Sequence, residues 1–220
     1  QSKYIQKDLE IVLFNTLDTK QDLKIFPFGK LRENIFSLCR ASLVVFTKHN
    51  LGSIKKPAMD IALPIIQKNK TPYIYSEINS SLIQFFIDSS KPDCWGGGVR
   101  IKSISKEQKL FSFCGIGDPD SFLQTTKLYE KNIVQHTSFR DHYSYQKKEV
   151  RFLKTLESLY SQHHITGILT TYKDFIKIQT LSSEFLRWVN RKKLSFFVLD
   201  IEIKVDDEVL VLEYIKNLIP

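Results

Sequence analysis

The chain has 220 residues, 42% hydrophobic and 25% charged, which are ordinary globular values, and that length can bury one large core or two small ones. Three scattered cysteines without Cys-x-x-Cys spacing argue against a disulfide framework or a zinc centre and for a reducing compartment, and no run approaches the ~20 apolar residues of a spanning helix. The net charge of +8 favours anionic partners (nucleic acid, phosphorylated ligands or acidic lipid surfaces) without choosing among them.

The chain starts at Gln1, not Met, and enters a strand-like run at 10–14 almost at once, an expectation of a piece of a longer protein. Next come Pro27-Phe28-Gly29-Lys30-Leu31-Arg32-Glu33 and a helical pattern over 31–40. Arg32 and Glu33 would sit in the first turn of that helix. There a carboxylate can hold Mg²⁺ and a guanidinium can clamp a phosphate, or the pair is helix-start chemistry favoured by the dipole. A strand at 43–47, a helix over 58–67 and a strand at 71–75 follow. Cys39 and Cys114, in apolar runs, read as core thiols. Lys55-Lys56, Lys147-Lys148 and Arg191-Lys192-Lys193 read as solvated faces.

Residues 89–108 break this rhythm with Pro92, Trp95 and Gly96-Gly97-Gly98, then alternate as Val99-Arg100-Ile101-Lys102. The triple glycine precedes a strand and lacks a following Gly-Lys-Ser/Thr, so it reads as a hinge beside a β-ribbon. Domains are therefore expected at 1–90 and 108–220, joined by a linker at 91–107.

Beyond the ribbon, a strand at 109–115 runs into Gly115-Ile116-Gly117-Asp118-Pro119 and a helix over 119–130, with Asp118 as N-cap and Pro119 at the first helical position. The amides of this turn can face an anion or a sugar. As a dinucleotide fingerprint it is partial, since Asp120 stands where a third glycine belongs. After a strand at 133–136, Asp141-His142-Tyr143-Ser144-Tyr145 leads into an amphipathic helix over 146–162. Asp-His serves as a general-base pair, a metal corner or a capped turn. His163-His164 suits a helix end. A strand at 167–170 then gives way to the polar run Thr170-Thr171-Tyr172-Lys173-Asp174. That is where ligands bind in open α/β sheets, although a salt-bridged loop is equally available. Helices over 182–190 and 208–218 and a strand at 194–199 complete an α/β class of mainly parallel sheets.

In their order, these runs resemble the tetraacyldisaccharide 4'-kinase family of lipid A biosynthesis. The likeness is carried by Lys7-Asp8-Leu9-Glu10, the Pro27–Glu33 run, Arg40-Ala41-Ser42-Leu43, Phe113-Cys114-Gly115-Ile116-Gly117-Asp118-Pro119 with Phe122, Phe139-Arg140-Asp141-His142-Tyr143-Ser144-Tyr145 and Thr170–Asp174. It spans essentially the whole chain.

The resemblance implies an incomplete P-loop-kinase-like α/β/α domain, a β-ribbon linker and a second α/β/α domain. It implies ATP and Mg²⁺ as cofactors and transfer of the γ-phosphoryl to the 4'-hydroxyl of tetraacyldisaccharide 1-phosphate. The enzyme would work peripherally or monotopically on the cytoplasmic face of the inner membrane, against an anionic lipid surface and without nucleic acid. By the same resemblance His142 supports a catalytic aspartate, with Asp141 steadying its ring. Glu33 helps hold Mg²⁺. Arg32, Gly115, Gly117, Tyr145, Thr171, Lys173 and Asp174 shape the substrate side, and Gln1 matches a glutamine beside the nucleotide. No Gly-x-x-x-x-Gly-Lys-Ser/Thr run occurs in the sequence, so the chain alone is expected to be inactive. Two other readings are a non-catalytic α/β module for phosphoglycolipids or membranes, and a glycosyltransferase-like protein that binds a nucleotide sugar.

Overall fold

A computed structural model describes residues 7–218 apart from 54, 89 and 92. In chain order the elements are β1 (Ile11–Asn15), β2 (Leu43–Thr47), α1 (Pro57–Lys68), β3 (Tyr73–Ile87), β4 (Trp95–Ile101), β5 (Leu110–Cys114) and α2 (Pro119–Thr125). They continue with β6 (Ile133–Ser138), α3 (Glu149–His163), β7 (Gly167–Thr171), α4 (Tyr172–Ile178), α5 (Ser183–Arg191), β8 (Ser195–Val205) and α6 (Glu208–Leu218). The α/β class expected from the sequence is what the structure shows. Two compact units divide the chain: residues 1–79 with 202–220, and residues 80–201. The segment 202–220 thus groups with the first unit, whereas the sequence reading put everything after 108 in the second.

In the first unit β1, β2 and the start of β3 run parallel in that order. One sheet face buries Phe14, Val44 and Phe46 against Ala58, Ala62 and Ile66 of α1, which recur at helical spacing along one face. Tyr214 of α6 donates its hydroxyl to the Ser42 carbonyl at 2.7 Å.

The expected helix over 31–40 is replaced by a single 3₁₀ segment, Ile35–Arg40. Two local bonds prevent an earlier start. Leu31 accepts from the Phe26 amide at 2.7 Å and donates to the Lys24 carbonyl at 3.1 Å, so its backbone is committed to a loop. Asn34 then caps the segment by accepting from the Phe36 amide at 3.0 Å. Arg32 and Glu33 therefore lie in the loop before the segment, not in a helical first turn. Cys39 is exposed, and only Cys114 is a core thiol. Lys56 is buried, not on a solvated face, with its ammonium on the Leu51 carbonyl; burial lowers its pKa.

In the second unit β6, β5, β7 and β8 run parallel in that order. Strands β5 and β7 have their first four residues or more buried, as fully covered parallel strands do. Around Phe111, Phe113, Phe152, Phe175, Phe185 and Phe196 an aromatic core fills one face. The triple glycine is not a hinge. It lies in β4, paired antiparallel with β3 so that Gly98 faces Phe85 and Arg100 faces Ile83. The helix expected over 119–130 is α-helical only to Thr125 and continues as a 3₁₀ segment, Thr126–Asn132. His164 ends α3 in a left-handed conformation, its amide on the Tyr160 carbonyl.

Candidate functional site

Strand order in the second unit singles out one place. From β5 the chain leaves through α2 towards β6 on one side. From the adjacent β7 it leaves through α4 and α5 towards β8 on the other. Diverging connections from neighbouring parallel strands open a crevice outside their carboxyl ends, where ligands bind in open α/β sheets.

Both walls of this crevice are built by local chemistry. After β5, Gly115 and Gly117 carry the chain round a tight turn. A Cβ on Gly115 would stand 3.1 Å from Asp174 Oδ1, 3.2 Å from the Tyr145 hydroxyl and 3.3 Å from Tyr143 Cβ; one on Gly117 would stand 3.3 Å from Asp141 Oδ2. Any side chain here would press its neighbours back by a few tenths of an ångström. Asp118 then caps α2 by accepting from the Ser121 amide at 3.1 Å. After β7, Thr171 caps α4, its hydroxyl oxygen accepting from the Asp174 amide at 3.1 Å.

Asp174, in the first turn of α4, is fully buried. Its Oδ2 accepts from the Gly115 amide at 2.7 Å and from the Thr171 hydroxyl at 2.8 Å, and Oδ1 lies 3.6 Å from Lys177 Nζ. Tyr145 is also buried, and burial, reinforced by the neighbouring Asp174 charge, pushes its hydroxyl pKa up. Among the described residues the Tyr145 hydroxyl, Asp174 Oδ1 and Lys177 Nζ complete no hydrogen bond of good geometry. Burial likewise pushes the Cys114 thiol up to about 11.

At the rim, Lys173 donates to Asp141 Oδ1 at 3.2 Å, and both side chains are about half exposed. This bond, before any other influence, holds the Asp141 carboxyl below its ordinary pKa. His142 occupies a left-handed turn at φ 56°, with its amide on Asp141 Oδ1 at 2.9 Å and its ring, 80% exposed, 3.6 Å from Asp141 Oδ2. Beneath them Tyr143 stacks on Phe139 at 4.4 Å between centroids and carries Lys148 Nζ at 4.7 Å from its own.

Thus Gly115, Gly117, Asp141, His142, Tyr145, Thr171, Lys173 and Asp174 gather at one strand edge. Their exposure separates them: Lys173, Asp141 and His142 face solvent, whereas Tyr145 and Asp174 are interior and stand behind the wall. Lys177 went unnoticed in the sequence, although its place three residues after Asp174 would have signalled the pair had α4 been foreseen. Gln1 lies outside the described residues.

Arg32 and Glu33 line a separate cavity of about 370 Å³ within the first unit, with Glu10, Asp18, Lys30 and Arg40. Glu33 pairs with Arg40, whose pKa that contact raises. Lys30 reaches Asp18 at 2.9 Å and Asp22 at 3.3 Å. Among the described residues no cluster of three or more His, Cys, Asp or Glu could hold a metal alone. Mg²⁺ needs only one or two protein carboxylates when phosphates supply the rest. The donor set fits on those terms, with Glu33 as one hard oxygen that would have to leave Arg40.

A family model described as "Tetraacyldisaccharide-1-P 4'-kinase" matches residues 1–219. The chain belongs to the tetraacyldisaccharide-1-P 4'-kinase family. Among its relatives, the tetraacyldisaccharide 4'-kinase of Rickettsia typhi is 29% identical over 188 residues, 84% of this chain and 48% of that protein. That of Rickettsia akari is 27% identical over 217 residues, 98% of this chain and 53% of that protein. The chain spans about half the length of the curated relatives it matches. A solved structure of the Aquifex aeolicus kinase LpxK, described as an "apo" form in complex with ATP, aligns with a TM-score of 0.50. It covers 98% of this chain and 54% of that one at 22% identity, a likeness of fold.

Proposed function

We propose that this chain carries the acceptor side of a lipid A 4'-kinase, which transfers the ATP γ-phosphoryl group to the 4'-hydroxyl of tetraacyldisaccharide 1-phosphate. The observation that carries this reading is the divergence of the chain from the carboxyl ends of β5 and β7, where Gly117, Asp141 and Lys173 gather, within a chain of the tetraacyldisaccharide-1-P 4'-kinase family. The exposed turn at Gly117 brings a backbone amide to a sugar or phosphate oxygen, while the Gly115 amide is held by Asp174. Lys173 offers a cation to the same oxygens, and Thr171 caps the helix that bears it. Tyr145 and Asp174 shape the wall from behind.

To the exposed His142 imidazole we assign the task of orienting the base that takes the proton from the 4'-hydroxyl. Asp141, bonded to the His142 amide, holds that turn in place. In the first unit Arg32 serves as a phosphate clamp and Glu33 as a Mg²⁺ ligand. Bound Mg²⁺ would offset phosphate charge there. We assign no nucleotide cradle to these residues, because the sequence contains no Gly-x-x-x-x-Gly-Lys-Ser/Thr run. In domain terms, the first unit belongs to the kinase-like domain and the second unit forms the acceptor domain.

The +8 charge suits a peripheral place on an anionic, cytoplasm-facing lipid surface. No helix of the described residues is long and apolar enough to cross a membrane.

Titration of the chain with tetraacyldisaccharide 1-phosphate in neutral detergent micelles tests the reading. We expect saturable binding that Lys173→Met weakens about 10-fold or more, the scale of one charge-assisted hydrogen bond. With ATP and Mg²⁺ added, no 4'-phosphorylated product should form. Binding that ignores Lys173→Met, or turnover by the chain itself, would overturn it.

A further inference from the structure

We propose that Asp174 is a positioning residue whose buried carboxylate fastens the β5 turn to the β7 turn, and so holds Lys173 against Asp141 at the crevice rim. Three observations carry this.

First, one oxygen, Oδ2, accepts from donors in both turns: the Gly115 amide at 2.7 Å and the Thr171 hydroxyl at 2.8 Å. The link to Gly115 spans 59 residues of sequence, so it joins walls that share no local structure.

Second, Asp174 is fully buried while the next residue back, Lys173, is about half exposed and bonded to Asp141 at 3.2 Å. On the first turn of a helix, neighbouring residues point in different directions, so fixing Asp174 inward fixes Lys173 outward. An apolar side chain would fill the interior at lower desolvation cost. The carboxylate supplies an anchor that such a side chain cannot.

Third, the Gly115 turn is shaped around Asp174 and Tyr145. A Cβ there would meet Asp174 Oδ1 at 3.1 Å and the Tyr145 hydroxyl at 3.2 Å. Asp141 in turn stands beside Gly117, two residues along the same turn. The chain Thr171, Asp174, Gly115, Gly117, Asp141, Lys173 therefore closes into a ring, with Asp174 and Gly115 as its buried members. Lys177, 3.6 Å from Oδ1, offsets the buried charge from the interior side.

The claim about position stands on geometry. Its meaning for catalysis rests on the acceptor-wall reading above.

Nuclear magnetic resonance on the labelled chain tests both. Two quantities are read: hydrogen exchange of the Gly115 amide, and the pH titration of the Asp141 carboxyl carbon. Asp141 is faced by Lys173 and His142. Asp174→Ala should speed Gly115 exchange by about tenfold, the factor for one lost hydrogen bond. It should also let the Asp141 titration climb back towards the ordinary carboxylate range. Asp174→Asn keeps an acceptor oxygen and should rescue both quantities in large part.

If Asp174→Ala does not fold, Gly115→Ala pushes the turn off Asp174 from the other side and should move the Asp141 titration the same way. An unmoved Asp141 titration in the folded variants would overturn the proposal. So would a rise in exchange spread evenly over β5 and β7, because a role in global stability alone predicts it. Tetraacyldisaccharide 1-phosphate is then added to the same samples. If the two quantities respond to Asp174 but the glycolipid does not bind, the positioning role stands and the acceptor reading falls.

Discussion

At the scale of the residue, Asp141, His142 and Lys173 show how three neighbouring polar side chains take separate tasks. Lys173 neutralises Asp141, and the Asp141 carboxylate fixes the His142 amide. The His142 ring is left to solvent, on a backbone conformation that few side chains adopt readily. An exposed ring with so little packing contributes little to stability, so His142→Ala should change unfolding free energy by no more than about 0.5 kcal/mol. In an active kinase carrying this sequence the same change should lower kcat about 10²-fold, the scale of lost acid–base assistance, with a smaller effect on the KM for ATP. Thermal melting and steady-state kinetics on one variant separate these effects. A normal kcat would remove His142 from the chemistry, and a large fall in melting temperature would make it structural.

At the scale of the element, α4 is the part the sequence concealed. Its first residues, Tyr172, Lys173 and Asp174, follow two threonines and look like a polar loop. The carboxylate of Asp174 is buried only because β5 pairs with β7 and brings Gly115 to it from 59 residues away. No local pattern carries that information. By contrast β2, α6 and the apolar residues of β5 and β7 were legible, because apolar runs and 3.6-residue periods depend on neighbours in sequence. The glycine turn and the Asp141-His142 pair were legible as residue types but not as one site. The helix expected over 31–40 failed for the same reason in reverse: Leu31 spends its hydrogen bonds on Lys24 and Phe26, which a periodicity over 31–40 does not reveal.

The α4 cap is testable. Thr171→Val keeps the shape and removes a hydroxyl that both accepts from the Asp174 amide and donates to its carboxylate. The loss should be about 1–2 kcal/mol, the upper part of the range for an N-cap, because a buried partner is also left short of a donor. Chemical denaturation with an unchanged m-value would report it. A loss below the error of the fit would mean that α4 is held by Phe175 and Ile178 packing alone.

At the scale of the whole molecule, two compact units carry two sets of candidate groups, each built by its own parallel strands. The first holds Arg32 and Glu33 around a cavity lined by charges of both signs, and the second holds the crevice with Lys173 and Asp141. The chain belongs to the tetraacyldisaccharide-1-P 4'-kinase family and shares the fold of the solved LpxK. The central claim is narrower, that the crevice of the second unit receives the glycolipid. It is tested most directly by an amide chemical-shift map of the labelled chain as tetraacyldisaccharide 1-phosphate is added in neutral detergent, with detergent alone as reference. The account predicts the largest shifts at Gly115, Gly117, His142, Thr171 and Lys173, saturating together, with α5 and α6 unmoved. Shifts scattered over surface lysines, or concentrated away from the carboxyl ends of β5 and β7, would contradict it.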